Sequence, residues 1–336
     1  MRSTINDVAK LAGVSKSTVS RVLNNSGSVS PQAREAVLKA QRALNYHPNR
    51  VARSLVSRST MTIGVLVPDL RNPFYSTACW AAEKEMRQHG YSALICNTDN
   101  NPDLESKYLQ VLGEHQVDGV LVLGGSDNIN PLLNFKAREN MPLVFVDRPV
   151  LESRLPWVGI DNVRGGMLAS EYLLDLGHRR ILFATSDFTK AERDRGIGYK
   201  NALAARGIAP NPDLYITIEE DCWKRQNLSQ IVKLFNREAR PTAIFASNDL
   251  KALTLYNVLK EIGLGVSSDV SIIGFDNIDV TNLVSPPLTT VAQPIAEMSK
   301  KGTEMLLAWL KGEEMIGQAV EMEPRLVVRK SATAVA

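Results

Sequence analysis

From Met61 onward one pattern repeats: a short apolar run, then a longer segment with helical periodicity, then a turn. The runs at 63–67, 93–96, 120–123, 143–146, 181–184, 243–246 and 271–275 are four or five residues long. They lack the alternation of a strand with one wet face, so each reads as a strand buried on both faces. Gly90, Gly177, Gly207 and Gly263 close intervening segments, as glycine does where a helix ends in a left-handed residue. Strands alternating with helices dictate α/β layering, and about nine such units suit two open-sheet lobes better than one.

The first 60 residues do not share this pattern. They carry ten Lys or Arg against Asp7 and Glu35, a charge of +8, which leaves −5 for the other 276. A basic head on a mildly acidic body points to a module that binds a polyanion. Thr4 can cap a helix over 5–12, broken by Gly13. Ser15 can cap a second helix to about Asn24, with Val19, Val22 and Leu23 inward and Lys16, Ser17, Ser20 and Arg21 outward. After the turn cluster 24–27, Ser30-Pro31 opens a third helix with Ala33, Val37, Ala40 and Leu44 as its stripe. This is the helix-turn-helix arrangement, whose second helix enters the major groove of double-stranded DNA.

Several classes are excluded by what the chain lacks. No run of eighteen apolar residues and no secretory leader is present, so a cytoplasmic protein without a membrane span is expected. Cys79, Cys96 and Cys222 are odd in number and far apart, which fits a reducing compartment. Four histidines, none at ligand spacing with a cysteine, give no metal site. No phosphate loop or nucleophile elbow suggests an enzyme, and no cofactor is expected.

The stretch Thr4-Ile5-Asn6-Asp7-Val8-Ala9-Lys10-Leu11-Ala12-Gly13-Val14-Ser15-Lys16-Ser17-Thr18-Val19-Ser20-Arg21-Val22-Leu23-Asn24 resembles the headpiece of the lactose/galactose repressor family. The likeness continues through Val29-Ser30-Pro31 and Leu44-Asn45-Tyr46-His47-Pro48-Asn49. It implies that Lys16, Ser17 and Arg21 read bases, with Arg21 on a guanine, while Thr18, Ser20, Asn24 and Ser30 hold the phosphate backbone. It also makes 49–60 a hinge helix and linker, with Asn49, Arg50 and Arg53 on DNA and Leu55 wedged into a minor-groove step.

The resemblance extends over the body through Gly64-Val65-Leu66-Val67-Pro68-Asp69, Phe145-Val146-Asp147-Arg148-Pro149, Ala246-Ser247-Asn248-Asp249, Ile273-Gly274-Phe275-Asp276-Asn277 and Pro286-Pro287-Leu288-Thr289-Thr290-Val291. It implies a headpiece at 1–48 and a two-lobed, periplasmic-binding-protein-like core with parallel sheets at 61–330, followed by a tail at 331–336. The first lobe would hold about 61–160 and 292–322, the second 161–291 and 323–330. In open α/β sheets ligands bind beyond the carboxyl ends of the strands. Asn72, Phe74, Tyr75, Asp147, Arg148, Asn248 and Asp276 follow such ends, and with Arg195, Trp223 and Gln293 they resemble a sugar-binding constellation. Carboxylates and guanidinium groups suit vicinal hydroxyls, and aromatic faces suit sugar C–H surface. Arg71, Lys190 and Arg193 could add positive charge, so a sugar acid, a sugar phosphate or a purine corepressor stays open beside a neutral sugar. The expected assembly is a homodimer on a palindromic operator, acting as an effector-controlled repressor.

Overall fold

The computed structural model describes residues 3–23, 26–46, 59–148, 150, 154–218, 229–237 and 239–335. The expected site residues Asn24, Asn49, Arg50, Arg53, Leu55 and Trp223 lie outside them. Two compact units are present, 1–60 and 61–336.

The first unit holds three helices: α1 (Ile5–Ala12), α2 (Lys16–Leu23) and α3 (Pro31–Ala43). Thr4 and Asp7 form a reciprocal capping box on α1, with the Thr4 N–H donating to Asp7 Oδ2 at 2.8 Å. Gly13 ends that helix at φ +66°, where a side chain would be strained, and its N–H returns to the last carbonyls. The Thr18 N–H donates to Ser15 Oγ at 3.1 Å, and the Ala33 N–H to Ser30 Oγ at 3.3 Å, so both expected serine caps are in place. Val8, Val19, Val22, Val37 and Ala40 are buried together, with Ile5, Val14 and Leu44 packed against them. Each fully buried valine contributes about 1.5–3 kcal/mol, which is how so short a unit holds its shape.

The second unit contains two six-stranded sheets. Its strands are β1 (Thr62–Val67), β2 (Ser92–Asn97), β3 (Gly119–Leu123), β4 (Leu143–Val146), β5 (Trp157–Ile160), β6 (Ile181–Thr185), β7 (Tyr215–Thr217), β8 (Ala243–Ala246), β9 (Ser271–Asp276), β10 (Thr289–Ala292), β11 (Ala319–Met322) and β12 (Arg325–Val327). The first sheet runs β11-β5-β4-β3-β1-β2 and every pair in it is parallel. The second runs β12-β10-β9-β8-β6-β7, parallel except for β12 against β10. The chain passes between sheets after Ile160, after Ala292 and after Met322.

The helices that cover the sheets are α4 (Pro73–Gln88), α5 (Pro102–Glu114), α6 (Asn130–Glu139), α7 (Asn162–Asp175), α8 (Lys190–Ala205), α9 (Ser229–Phe235), α10 (Asp249–Glu261) and α11 (Ile295–Leu310). The seven expected apolar runs all fall within strands, with ends shifted by no more than a residue. The other five strands are short, and one of them, β10, hides its burial behind polar residues. Thr289 and Thr290 of β10 are fully buried because their hydroxyls are bonded: Thr290 donates to Asp249 Oδ1 at 2.6 Å, and Thr289 accepts the Arg329 N–H at 2.9 Å. β11, Ala-Val-Glu-Met, sits at a sheet edge with alternating exposure. Among the described residues no helix is long and apolar enough to cross a membrane.

Candidate functional site

Two surfaces carry chemistry, one on each unit. On the first, Val19 and Val22 anchor α2 to its neighbours, which leaves Lys16, Ser17 and Arg21 exposed and Thr18 and Ser20 half-buried. Ser17 Oγ lies 2.7 Å from the capping Ser15 Oγ, so its hydroxyl is held at the start of the helix. Among the described residues neither Lys16 nor Arg21 pairs with a carboxylate, and both are exposed on this short helix. The aliphatic stem of Arg21 runs along Gly27, where a Cβ would meet Arg21 Cδ at 3.5 Å. A basic face of this kind, presented N-terminus first, fits the width of a major groove.

On the second unit, a cavity of about 270 Å³ opens between the two sheets. Tyr75, Gly124, Gly125, Asp127, Ile129, Asp147, Arg148 and Val150 line it from the lobe of the first sheet; Thr189, Lys190, Ala191 and Arg193 line it from the other. The strand ends set this up: Gly124 follows β3, Asp147 follows β4, and Thr189 is the N-cap of α8. Gly124 has φ +57°, and a Cβ there would sit 2.6 Å from Tyr75 Oη, so only glycine lets the tyrosine reach the cavity wall.

Asp147 and Asp276 both hold left-handed backbone, at φ +60° and +112°, a strain of about 1–3 kcal/mol each for non-glycine residues. That turn aims the two buried carboxylates, one from each lobe, toward a common cluster. Arg195 Nη1 lies 3.7 Å from Asp276 Oδ1, and Gln293 Nε2 donates to the same oxygen at 2.7 Å. Arg195 is fixed on three further sides. Its Nε donates to Asn162 Oδ1 at 2.9 Å, its Nη1 to the Ser247 carbonyl at 2.6 Å, and its guanidinium lies 3.8 Å over the Phe275 ring. Burial pushes Asp147 up to about 7, partly offset by Arg195 and reinforced by the negative Asp276. Burial also lifts Asp276, to about 6, against the pull of Arg195 and the Gln293 hydrogen bond.

Arg148 is placed by Glu105 at 3.5 Å, the Asn128 carbonyl at 3.2 Å and the Gly124 carbonyl at 3.4 Å. Below the second lobe's wall, Lys251 Nζ donates to Glu192 Oε1 at 2.6 Å, and Ser247 Oγ to the same oxygen at 2.7 Å; Ser186 donates to Oε2. Burial raises Glu192, but Lys251 and the two serines overcome it and hold the carboxyl at about 2. Ser247 thus ties this pair to Arg195. Among the described residues, four buried polar atoms around the cleft have no hydrogen-bond partner: Asp147 Oδ1, Gln293 Oε1, Glu105 Oε1 and Arg148 Nε.

Of the ligand residues expected from sequence, Tyr75, Asp147 and Arg148 line the cavity, while Arg195, Asp276 and Gln293 form the buried cluster behind Asp147. Asn72 and Asn248 act as helix caps. Their Oδ1 atoms accept the Phe74 N–H at 3.0 Å and the Lys251 N–H at 2.8 Å. Phe74 is buried with its ring edge-on to Tyr75 and is not part of the cavity wall. Glu105, Gly124, Gly125, Asp127 and the Glu192–Lys251 pair were not expected. The glycines and Asp127 directly follow a predicted strand, so the strand-end rule could have found them; Glu105, Glu192 and Lys251 lie inside helices, where only the fold reveals them.

Residues 4–49 match the family described as bacterial regulatory proteins, lacI family, and residues 170–332 match a periplasmic binding protein-like domain. The chain is 36% identical over 330 residues to the HTH-type transcriptional repressor PurR of Aliivibrio salmonicida (strain LFI1238), covering 98% of both chains. The chain belongs to the lacI family of bacterial regulatory proteins. Among solved structures of similar proteins, the lac repressor dimer bound to operator and the anti-inducer ONPF matches with a TM-score of 0.87 at 27% identity, over 99% of this chain and 100% of that one. A complex of the transcriptional regulator CelR with cellobiose matches with a TM-score of 0.74 at 31% identity, over 98% and 100%. The regulator therefore combines a DNA-binding helix-turn-helix unit with an effector-binding core.

Proposed function

We propose that this lacI-family regulator is a homodimeric repressor that reads a palindromic operator with Lys16, Ser17 and Arg21 and responds to a neutral, sugar-like effector held between its lobes. The observation that carries the effector class is the set of unmet polar atoms at the cleft: acceptors on Asp147 and Gln293, and a donor on Arg148. Hydroxyls serve both kinds of atom at once. A sugar acid or sugar phosphate would set its charge beside Asp147, and the cations that line the cavity are already paired, Arg148 with Glu105, Lys190 with Asp194 and Arg193 with Asp127. The cavity volume, just under the range of about 300–1,000 Å³ typical of ligand sites, suits a single small ligand. CelR, whose complex holds cellobiose, is a relative of the same architecture.

Exposed apolar side chains on both lobes, Trp80 and Ile95 on the first and Leu283 at 82% exposure on the second, support pairing with a second copy. Domain boundaries at about 48 and 60, with lobes exchanging chain after Ile160, Ala292 and Met322, fit this reading. The first lobe continues into the hinge through Ser57-Arg58-Ser59-Thr60. An effector that grips Asp147 and Arg148 on one lobe and Arg195 and Asp276 on the other favours closure, and closure then alters how two hinges meet on DNA. A thermal-shift screen of neutral sugars, sugar acids, sugar phosphates and purines tests the effector class. A neutral sugar should raise Tm through mass action; a larger shift from an acid, a phosphate or a purine would overturn the class.

A further inference from the structure

The loop after β3 does more than line the cavity. Asp127 reaches across the cleft to the first turn of α8 on the other lobe. Its Oδ1 accepts the Lys190 N–H at 2.8 Å, and its Oδ2 pairs with Arg193 Nη2. Both partners are prepared on their own side. Arg193 Nη1 is bonded to the Asp187 carbonyl at 2.9 Å, so its guanidinium stays at the lip without Asp127. The Lys190 ammonium is committed to Asp194 at 2.5 Å, so the backbone N–H, not the side chain, is what Asp127 uses. Lys190 opens a 16-residue helix capped by Thr189, where aligned peptide dipoles favour a negative charge. Asp127, Lys190 and Arg193 all border the same cavity.

We infer that Asp127 is an interlobe clasp: a carboxylate on one lip of the cleft that docks on the α8 N-terminus and Arg193 of the other, stabilising the closed lobes independently of any effector. The inference rests on reading this cleft as the effector site, and it assigns Asp127 to positioning, not to effector contact. Its contacts exist only when the lobes are together. Because they join half-exposed groups, salt weakens them. The clasp and the effector would then act on the same equilibrium from different atoms: the effector through Asp147, Arg148 and the Arg195 cluster, the clasp from the rim.

Amide hydrogen exchange on the full-length protein without any effector tests this, with wild type, Asp127→Ala, Arg193→Gln and the double variant compared. Peptides spanning 124–129 and 187–193 report the two lips. Removing Asp127 loses both the helix-terminus contact and the ion pair, so both lips should exchange about three- to tenfold faster, and together. Arg193→Gln loses only the ion pair and should give about two- to fivefold; the double variant should match Asp127→Ala alone. Raising salt from about 0.05 to 0.5 M should speed exchange at both lips in wild type and leave Asp127→Ala unchanged. Unchanged exchange in Asp127→Ala, or acceleration confined to 124–129, would overturn the clasp. Because no effector enters the measurement, that result would leave the effector reading standing, and failure of the effector screen would leave the clasp standing.

Discussion

Asp276→Asn is the perturbation that most cleanly separates effector recognition from folding. The carboxylate is 6% exposed, its Oδ1 is held by Gln293 at 2.7 Å, and its Oδ2 accepts no hydrogen bond from the described protein. Asparagine keeps the shape and can still accept from Gln293, but it loses the charge that would strengthen a hydroxyl donor's bond. Hydrogen bonds to a charged group contribute about 1.5–3 kcal/mol, so effector Kd should rise about 10- to 100-fold. The fold should tolerate the change. Arg195 keeps Asn162, the Ser247 carbonyl and the Phe275 face, and Asp147 remains as a counter-charge. Burial already lifts Asp276 to about 6, so above that pH the neutral side chain relieves a desolvated charge. The assay is calorimetric titration with the neutral sugar returned by the screen, beside operator titration without it. Full effector affinity in the variant would refute the placement of Asp276 in the site, and a large loss of effector-free operator affinity would refute its separation from DNA binding.

Other outcomes follow from the same geometry. Arg21→Ala should weaken operator binding by about 1–3 kcal/mol and relax preference at one base pair per half-site; equal weakening on all sequences, measured by competition binding, would make Arg21 a phosphate contact. Asp147 rises from its ordinary 3.8 to about 7, so its protonated form favours the folded state. That contribution is present at low pH and is lost as pH rises through about 7, so the Tm of wild type relative to Asp147→Asn should fall between pH 5 and 8; a constant difference would contradict it. Helices α7 and α8 touch through glycines: a Cβ at Gly198 would lie 2.1 Å from the Val163 carbonyl oxygen. Gly198→Ala should therefore cost about 1–3 kcal/mol or more in denaturant unfolding and displace Arg195 from its partners. Sedimentation at micromolar concentration should give a dimer, and a monomer or tetramer would count against the proposed assembly.

The fold was legible where the chain states its burial in apolar residues. Runs such as Leu143–Val146 and caps such as Thr4, Ser15 and Ser30 act locally, and the structure uses them as the periodicity implies. Strand β10 was not legible, because its buried threonines read as polar until Asp249 and Arg329 are seen bonded to them. The cleft was partly legible. Asp147, Arg148 and Tyr75 follow strand ends, a rule that needs only the strands. Asn72 and Asn248 follow them too, yet their side chains serve the next helix, since an asparagine between strand and helix satisfies both descriptions. The Glu192–Lys251 pair joins residues 59 apart on two helices, and no local pattern marks a lysine only 1% exposed.

One ligand between the lobes and one operator on the headpieces should act on a shared equilibrium. Fluorescence anisotropy of a labelled palindromic operator, titrated with the regulator at zero and saturating effector, measures it directly. Operator Kd should change by about 5- to 150-fold, equivalent to about 1–3 kcal/mol, with an equal change in effector Kd when operator is saturating. The Asp276→Asn variant should show that shift only at higher effector concentration. A ligand that stabilises the core yet leaves operator Kd unchanged would contradict the coupling of cleft to headpiece.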